Sequence, residues 1–313
     1  MFIEDIFEKV SCYFPINFNP PKNDKFKVTP EQLKAKLKEC FGASNHKQWL
    51  DNVFPFIIDK LTAVQEDTKK ESLDLLEELV RKHAKEPCMK EHIEFTVSSI
   101  QNEYYNRFEF ETQQRCKYTL SSILNQIQQQ TETALVYQGG ALSPAAKSKM
   151  HPQLAEVAHK CLNEIEVDPS GMPAFLTSQL LSQIIGNQSL KLAQVVMPHA
   201  LFDEQSGLFT QMIRQTEALQ KNESSYSHDL HTAYLQVFHN IIQAANGIPS
   251  ENQQQRDFYE KNCTPPTPKV RGEIQGELCT RLLTERGQLV LDVLSHGLST
   301  NNVVFEKTLK VYC

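Results

Sequence analysis

The segment QWLDNVFPFIIDKL, Gln48 to Leu61, and the segment that follows it from Thr68 to Lys82 decide the fold class of this 313-residue chain. The first is densely apolar around an internal proline, Pro55, as is typical of a buried helix that a proline kinks. The second places Leu73 and Val80 on one helical face. Its opposite face is expected to stay in solvent and carries Glu71, Asp74, Glu77, Glu78 and Arg81. The two segments together predict one helical hairpin.

The same paired pattern recurs further along the chain. Apolar residues return every three or four positions in Ile93–Phe108 and Cys116–Ile127, and again in Leu154–Ile165 and Leu176–Ile184. The proline of the first helix is echoed by Pro198, about three periods later for a helical repeat of about 40 to 47 residues once an insertion is allowed for. Hairpins at this period predict an all-α fold, a HEAT-type α-solenoid. This is an armadillo-like right-handed superhelix, here of about four to five hairpins.

The predicted array has two parts. Residues 1–47 would hold a helix end, a connecting segment rich in proline and aromatic residues, and a short helix, while residues 48–313 would hold the repeats. Thr29 is expected to cap the short helix, with Pro30 at its first position and Gly42 closing it. Residues 131–150 carry no apolar stripe and are expected to form a loop or insertion. The last helix has no partner in the chain, so we expect the array to be truncated at its C-terminal end.

Composition and charge argue against several classes of protein. A formal net charge of -6 fits neither a nucleic-acid-binding nor a membrane-surface protein, and no direct contact with either is predicted. Lysines from Lys22 to Lys38 alternate with carboxylates and are interpreted as a solvated helix face rather than a phosphate site. An acidic N-terminus and the lack of a run of about 18 apolar residues argue against a signal peptide or a membrane span. We therefore expect a cytosolic or nuclear protein with reduced thiols.

No pattern in the sequence predicts catalysis. The eight cysteines include no C-x-x-C pair, and phosphate-loop, dinucleotide and hydrolase motifs are missing. The nearest approach to a metal site is His228, His231 and His239, which we interpret as surface histidines. Catalytic, cofactor-binding and metal-binding residues are therefore predicted to be none, and the chain is not expected to be an enzyme.

The segment SCYFPINFNPPKND, Ser11 to Asp24, is neither a helix pattern nor ordinary surface. Its prolines favour an extended chain, in which Phe14 and Phe18 would share one face and Tyr13 the other. One interpretation is a packed connection between two helices, and the other is a strip that docks a partner. We expect Phe14 and Phe18 to pack in the core and Tyr13 to be the better contact residue.

The order of these elements resembles the MMS-nineteen family. The resemblance is carried by Glu4–Glu8, the segment Ser11–Asp24, FPFIIDKL at Phe54–Leu61 and KKESLDLL at Lys69–Leu76. It implies an N-terminal-half fragment of a HEAT-repeat adaptor that recruits apo-proteins to the cytosolic iron-sulfur assembly complex. The implied clients are DNA helicases and polymerases, including the helicase of transcription factor TFIIH. A location in both cytoplasm and nucleus is also implied.

The resemblance further implies that contact with the assembly complex itself lies mainly in a C-terminal region missing from this chain. Client docking would remain, without any cluster held by the chain itself. The partner-binding candidates are Tyr13, Phe14, Phe18, Glu71, Asp74, Glu78 and Arg81. One alternative is a generic HEAT-repeat scaffold, such as a transport receptor or a phosphatase scaffold. Another is a cluster carrier using its cysteines, although Cys116 and Cys161 occupy apolar positions that favour burial.

Overall fold

The computed structural model describes residues 3–15, 27–106, 109–136, 151–186 and 227–246, together with the single residues 211, 214, 218, 221 and 280. Every regular element in these ranges is a helix, and no strand occurs among them. The all-α prediction is confirmed to that extent. Contacts divide the chain into two compact units, Met1–Ile123 and Leu124–Cys313. The division predicted from the sequence, residues 1–47 and 48–313, stays a prediction.

The first unit is built from six helices of the described residues. They are α1 (Ile3–Ser11), α2 (Pro30–Phe41), α3 (Lys47–Asp59), α4 (Glu66–His83), α5 (Met89–Asn106) and the first part of α6 (Phe110–Val136), with a short 3-10 helix at Lys60–Thr62. The predicted hairpin of α3 and α4 is confirmed. The predicted loop at residues 131–150 is wrong for its first six residues, because α6 continues to Val136 through Glu132, Ala134 and Leu135, which favour a helix even without an apolar stripe.

The start of α2 follows its sequence signals closely. The Thr29 hydroxyl accepts a hydrogen bond from the Gln32 backbone N–H at 3.2 Å, and the Thr29 backbone N–H donates to the Gln32 side chain at 3.0 Å. This reciprocal pair is a capping box, and Pro30 occupies the first turn. Gly42 closes the helix by donating its N–H to the Lys38 carbonyl. The predicted bounds of this short helix are confirmed.

The helices of the first unit lie in two layers. In one layer α3 packs between α1 and α5, and in the other α4 contacts α2 and forms ion pairs with α6. Side chains of α3 and α4 fill the space between the layers and are fully buried, including Leu50, Phe54, Ile57, Leu73 and Leu76. The apolar stripes predicted for both helices are therefore confirmed as the core.

Neighbouring helices within a layer run parallel and nearly in register. An offset of 41 residues recurs in the contacts Asn45–Glu86, Asp51–His92, Lys70–Glu111 and Asp74–Arg115. Offsets of 44 to 46 residues join Glu4 to Gln48, Glu77 to Ser122 and Glu66 to Thr112. The spacing falls within the period of two-helix repeats of about 40 to 47 residues. The repeat period inferred from apolar spacing thus reappears as a spatial register between side chains.

In the second unit, α7 (Pro152–Val167) and α9 (His228–Asn246) both pack against α8 (Met172–Gly186). The Asn240 side-chain amide donates to the Ser182 carbonyl at 2.7 Å and contacts its hydroxyl at 3.0 Å. The predicted turn between α7 and α8 is confirmed, with the Ser170 N–H donating to the Asp168 carboxylate at 3.3 Å. The predicted proline-containing helix around Pro198 lies outside the described residues.

The histidine prediction is wrong in part. His228 is exposed, but His231 and His239 are buried on α9. The physical reason is that α9 is buried on more than one of its faces. Polar residues that would face solvent on a helix packed on one side only are therefore buried on α9. In the described portion of the chain, no helix is long and apolar enough to cross a membrane.

Candidate partner-binding surface

An aromatic cluster anchors the start of the proline-rich segment. Phe14 is buried and meets Phe41 and Phe56 with ring centroids 6.2 Å apart in both pairs. Phe7 of α1 meets Phe56 at 5.5 Å and Trp49 at 5.9 Å, edge to face. These are favourable geometries for aromatic pairs. The core position predicted for Phe14 is confirmed, and the peptide bond that follows it to Pro15 is cis.

Tyr13 lies on the opposite side of the chain from its neighbour. Its side chain is 69% exposed, whereas Phe14 retains only 8%. The burial of the two side chains is as predicted, but the backbone here is not extended. It forms a turn after α1, in which the N–H groups of Tyr13 and Phe14 donate to the carbonyls of Val10 and Ser11 at 3.2 and 3.1 Å. Phe18 lies outside the described residues. The role of all three in partner binding stays a prediction.

The polar row of α4 is engaged in contacts with the helices on either side. Glu71 pairs with Lys34 of α2, and Asp74 lies 3.6 Å from Lys38. On the other side Arg115 of α6 pairs with Asp74 and lies 3.6 Å from Glu77. We call this set, Lys34, Lys38, Glu71, Asp74, Glu77 and Arg115, the charge ladder. It joins three helices of one layer.

The charge ladder differs from the solvated row that the sequence predicted. The side chains of Glu71 and Glu77 are only 18% exposed, since α2 and α6 lie against the flanks of α4. Burial raises the pKa of Glu77, although the Ser122 hydroxyl donates to its carboxylate at 2.8 Å. The hydrogen bond to Glu71 raises the pKa of Lys34. Of the predicted candidates, Glu71 and Asp74 therefore bind neighbouring helices in this structure.

The C-terminal end of α4 is more open. Arg81 is exposed and holds Glu78 through its guanidinium at 2.6 Å, and Lys82 reaches the same carboxylate at 3.3 Å. Although burial opposes it, hydrogen bonds from Arg81 and Lys82 lower the pKa of Glu78. Glu78 and Arg81 therefore lie apart from Glu71 and Asp74 in their contacts, and the role of these four residues in partner binding stays a prediction.

The lysine cluster has a structural role that the sequence did not reveal. Lys34 and Lys38 belong to the charge ladder, and Lys36 pairs with Glu39 at 2.8 Å within α2. The sequence predicts a solvated face here, but two of these lysines neutralise carboxylates one helix away. A signal that could have found them is the offset of 36 to 37 residues between basic positions on α2 and acidic positions on α4, close to the repeat length.

The described residues offer arrangements suited to binding proteins. Searched over the described ranges, they include no group of three histidine, cysteine or carboxylate residues that could hold a metal ion. Cys116 and Cys161 are buried, as their apolar positions predicted. Tyr13 and Arg81 are exposed, and tyrosine and arginine are enriched in protein interfaces.

Comparison with known proteins adds a family assignment. Residues 1–106 match the family model MMS19_N, described as "Dos2-interacting transcription regulator of RNA-Pol-II". The MMS19 protein of Saccharomyces cerevisiae, named as a "DNA repair/transcription protein", is 32% identical over 127 residues, which is 40% of this chain and 11% of that protein. No solved structure matches the chain.

Two other relatives match a shorter segment. The Dictyostelium discoideum "MMS19 nucleotide excision repair protein homolog" is 40% identical over 75 residues, or 24% of this chain and 6% of the relative. The human protein of that name is 33% identical over 75 residues, or 24% of this chain and 7% of the relative. The matched segments thus span about a tenth or less of these relatives. Residues 1–106, which contain α1 to α5, belong to the N-terminal region of the MMS19 family.

Proposed function

We propose that this chain is part of a HEAT-type α-solenoid that acts as a non-enzymatic adaptor. It binds the cluster-free forms of iron-sulfur proteins of DNA repair, replication and transcription, the TFIIH helicase among them, and presents them to the cytosolic iron-sulfur assembly machinery. The observation that carries this proposal is the match of residues 1–106 to a family whose named members are DNA repair and transcription proteins. The iron-sulfur role comes from the family resemblance.

The arrangement of the first unit supports a scaffold. Parallel helices in register, offset by about one repeat, expose side chains along the layer, and stacked repeats of this kind present extended surfaces for binding. The charge ladder joins successive repeats within that layer. A chain organised in this way is suited to hold a client along its surface while other proteins act on that client.

A capture assay with purified components tests the proposal. The chain is immobilised and offered the TFIIH helicase as apo-protein and as holo-protein, with an unrelated acidic helical-repeat protein as the control bait. We expect retention of the apo-helicase well above the control and weaker retention of the holo-form. Retention no greater than that of the control bait would refute the adaptor role of this chain.

A matched pair of variants examines the residue predicted to contact clients. Tyr13→Ala removes an exposed ring, and Tyr118→Ala removes another exposed tyrosine on α6. We expect client capture to fall for Tyr13→Ala and to be unchanged for Tyr118→Ala. Equal capture by both variants and the unmodified chain would exclude Tyr13 as a contact residue.

A further inference from the structure

The first unit exposes one large apolar side chain in or beside each of the three connections that lead from the layer of α1, α3 and α5 to the layer of α2, α4 and α6. Tyr13 follows α1, Val64 lies between the 3-10 helix and α4, and Phe110 opens α6. These side chains are 69%, 95% and 70% exposed, whereas the other exposed apolar residues described in this unit, such as Phe95 and Tyr118, retain at most about half of their surface. The packing of the helices does not require large apolar side chains to be exposed to water in or beside the corresponding connections of successive repeats.

The register of the helices places these three residues along one edge. Since α1, α3 and α5 run parallel, their C-terminal ends lie together, as the contacts Glu4–Gln48 and Asp51–His92 require. The helices of the second layer begin at the same edge, and the Lys70–Glu111 contact aligns the first turns of α4 and α6. We call this row of Tyr13, Val64 and Phe110 the apolar edge.

The spacing of the apolar edge matches a peptide in the polyproline II conformation. Packed helices lie about 8–10 Å apart, so successive repeats present one apolar side chain at about that interval. A chain in the polyproline II conformation advances about 3.1 Å per residue with about three residues per turn, so every third side chain lies on one face and meets the next apolar position about 9 Å further on. A helical ligand would advance only about 1.5 Å per residue and would require contacts about six residues apart.

The charges beside the apolar edge select the composition of the ligand. Asp59 and Glu111 are 72% and 73% exposed, while the lysines paired with them, Lys60 and Lys70, are 29% and 31% exposed. Asp67 in the first turn of α4 is also exposed. The carboxylates are thus more exposed to solvent than the lysines paired with them, and this favours a cationic ligand over an anionic one. The net charge of -6 likewise disfavours a second copy of this chain.

We propose that the apolar edge, Tyr13, Val64 and Phe110 flanked by Asp59, Asp67 and Glu111, binds a basic segment of a partner protein in the polyproline II conformation, with an apolar residue at every third position. Under the proposed adaptor function this segment belongs to a client protein. The apolar-edge proposal rests on that function only for the identity of the partner that carries the segment. The binding itself follows from the edge and is tested without any client.

Three labelled nine-residue peptides of defined sequence test the spacing and the charge by fluorescence anisotropy. KKLKKLKKL has leucine at every third position, KKLKLKLKK has the same composition at every second position, and EELEELEEL reverses the charge. We expect KKLKKLKKL to bind at least about tenfold more tightly than either of the others and to weaken with added salt. Equal binding of the two lysine peptides, or no binding of KKLKKLKKL, would overturn the proposal.

Variants of the chain locate the binding. The triple variant Tyr13→Ser, Val64→Ser and Phe110→Ser should bind KKLKKLKKL at least about tenfold more weakly. The control variant Phe95→Ser with Tyr118→Ser, which also removes exposed apolar groups, should bind it like the unmodified chain. Unchanged melting temperatures establish that the variants fold, as expected for exposed side chains. Equal weakening in both variants would refute the assignment to this edge.

The same proteins in the apo-helicase capture assay separate the two proposals. Peptide binding that is lost in the triple variant supports the apolar edge whatever happens to the client. Client capture by a chain that does not bind KKLKKLKKL refutes the apolar edge and leaves the adaptor role intact. Peptide binding by a chain that captures no client refutes the adaptor role and leaves the edge intact.

Discussion

Replacing Phe14 by alanine tests whether the proline-rich segment is part of the folded core. The ring is buried, and its edge-to-face contacts with Phe41 and Phe56 would be lost. Truncating a buried phenylalanine to alanine costs about 3–5 kcal/mol of unfolding free energy. Because Phe14 lies at the border of the cluster and keeps 8% of its surface exposed, we expect the lower end, about 3 kcal/mol.

The measurement is thermal unfolding followed by circular dichroism, with chemical denaturation as a second method. For a cooperatively unfolding unit of about 150–250 residues, a loss of about 3 kcal/mol corresponds to a fall of roughly 6–12 °C in melting temperature. Tyr13→Ala is the matched control, since it removes a neighbouring ring that is already in water and should change stability by less than about 0.5 kcal/mol. A Phe14→Leu variant should recover part of the loss because it refills much of the volume.

Equal stability of the Phe14→Ala and Tyr13→Ala variants would refute the packing interpretation. Reduced client capture by Phe14→Ala at a temperature where the variant is fully folded would assign this residue a docking role in addition. The pair therefore separates packing from binding at two adjacent positions of the chain.

Three further predictions concern charged groups. Asp74→Ala removes the carboxylate shared by Arg115 and Lys38, and because this side chain is 36% exposed and partly screened by solvent, we expect a loss of only about 0.5–1.5 kcal/mol in chemical denaturation. Glu39→Ala breaks a pair within one helix and should change nothing measurable, and equal effects of the two variants would contradict the charge ladder. Burial lowers the pKa of Lys117 to about 8, so the unfolding free energy should rise between about pH 8 and 10.5. The Lys117→Met variant should be more stable than the unmodified chain at pH 7 by about 1–3 kcal/mol and should not show that rise, and a destabilised variant would refute the burial penalty. Burial, with His228 nearby, lowers the pKa of His231 to about 4. The unfolded chain therefore binds more protons than the folded chain between about pH 4 and 6.5, and stability should fall as the pH drops through that range. The melting temperature of His231→Gln should depend less on pH, and an unchanged pH profile would exclude this residue as the cause.

Local patterns were sufficient to predict much of the first unit. The apolar stripes of α3 and α4 became the core, Thr29 and Pro30 began α2, and Phe14 packed while Tyr13 faced solvent. Helix periodicity and capping depend on residues within a few positions of one another. For this reason the sequence alone carries that information.

The sequence by itself therefore determined which segments are helices, which of their faces are apolar and where one helix starts. Only the tertiary structure decided that Lys34 and Glu71 meet, that Glu77 is covered and that His231 lies inside, because each depends on a helix about one repeat away or on how many sides of a helix are packed. It also decided that Tyr13, Val64 and Phe110 share an edge, since residues so far apart in the chain become neighbours only when parallel helices stack in register.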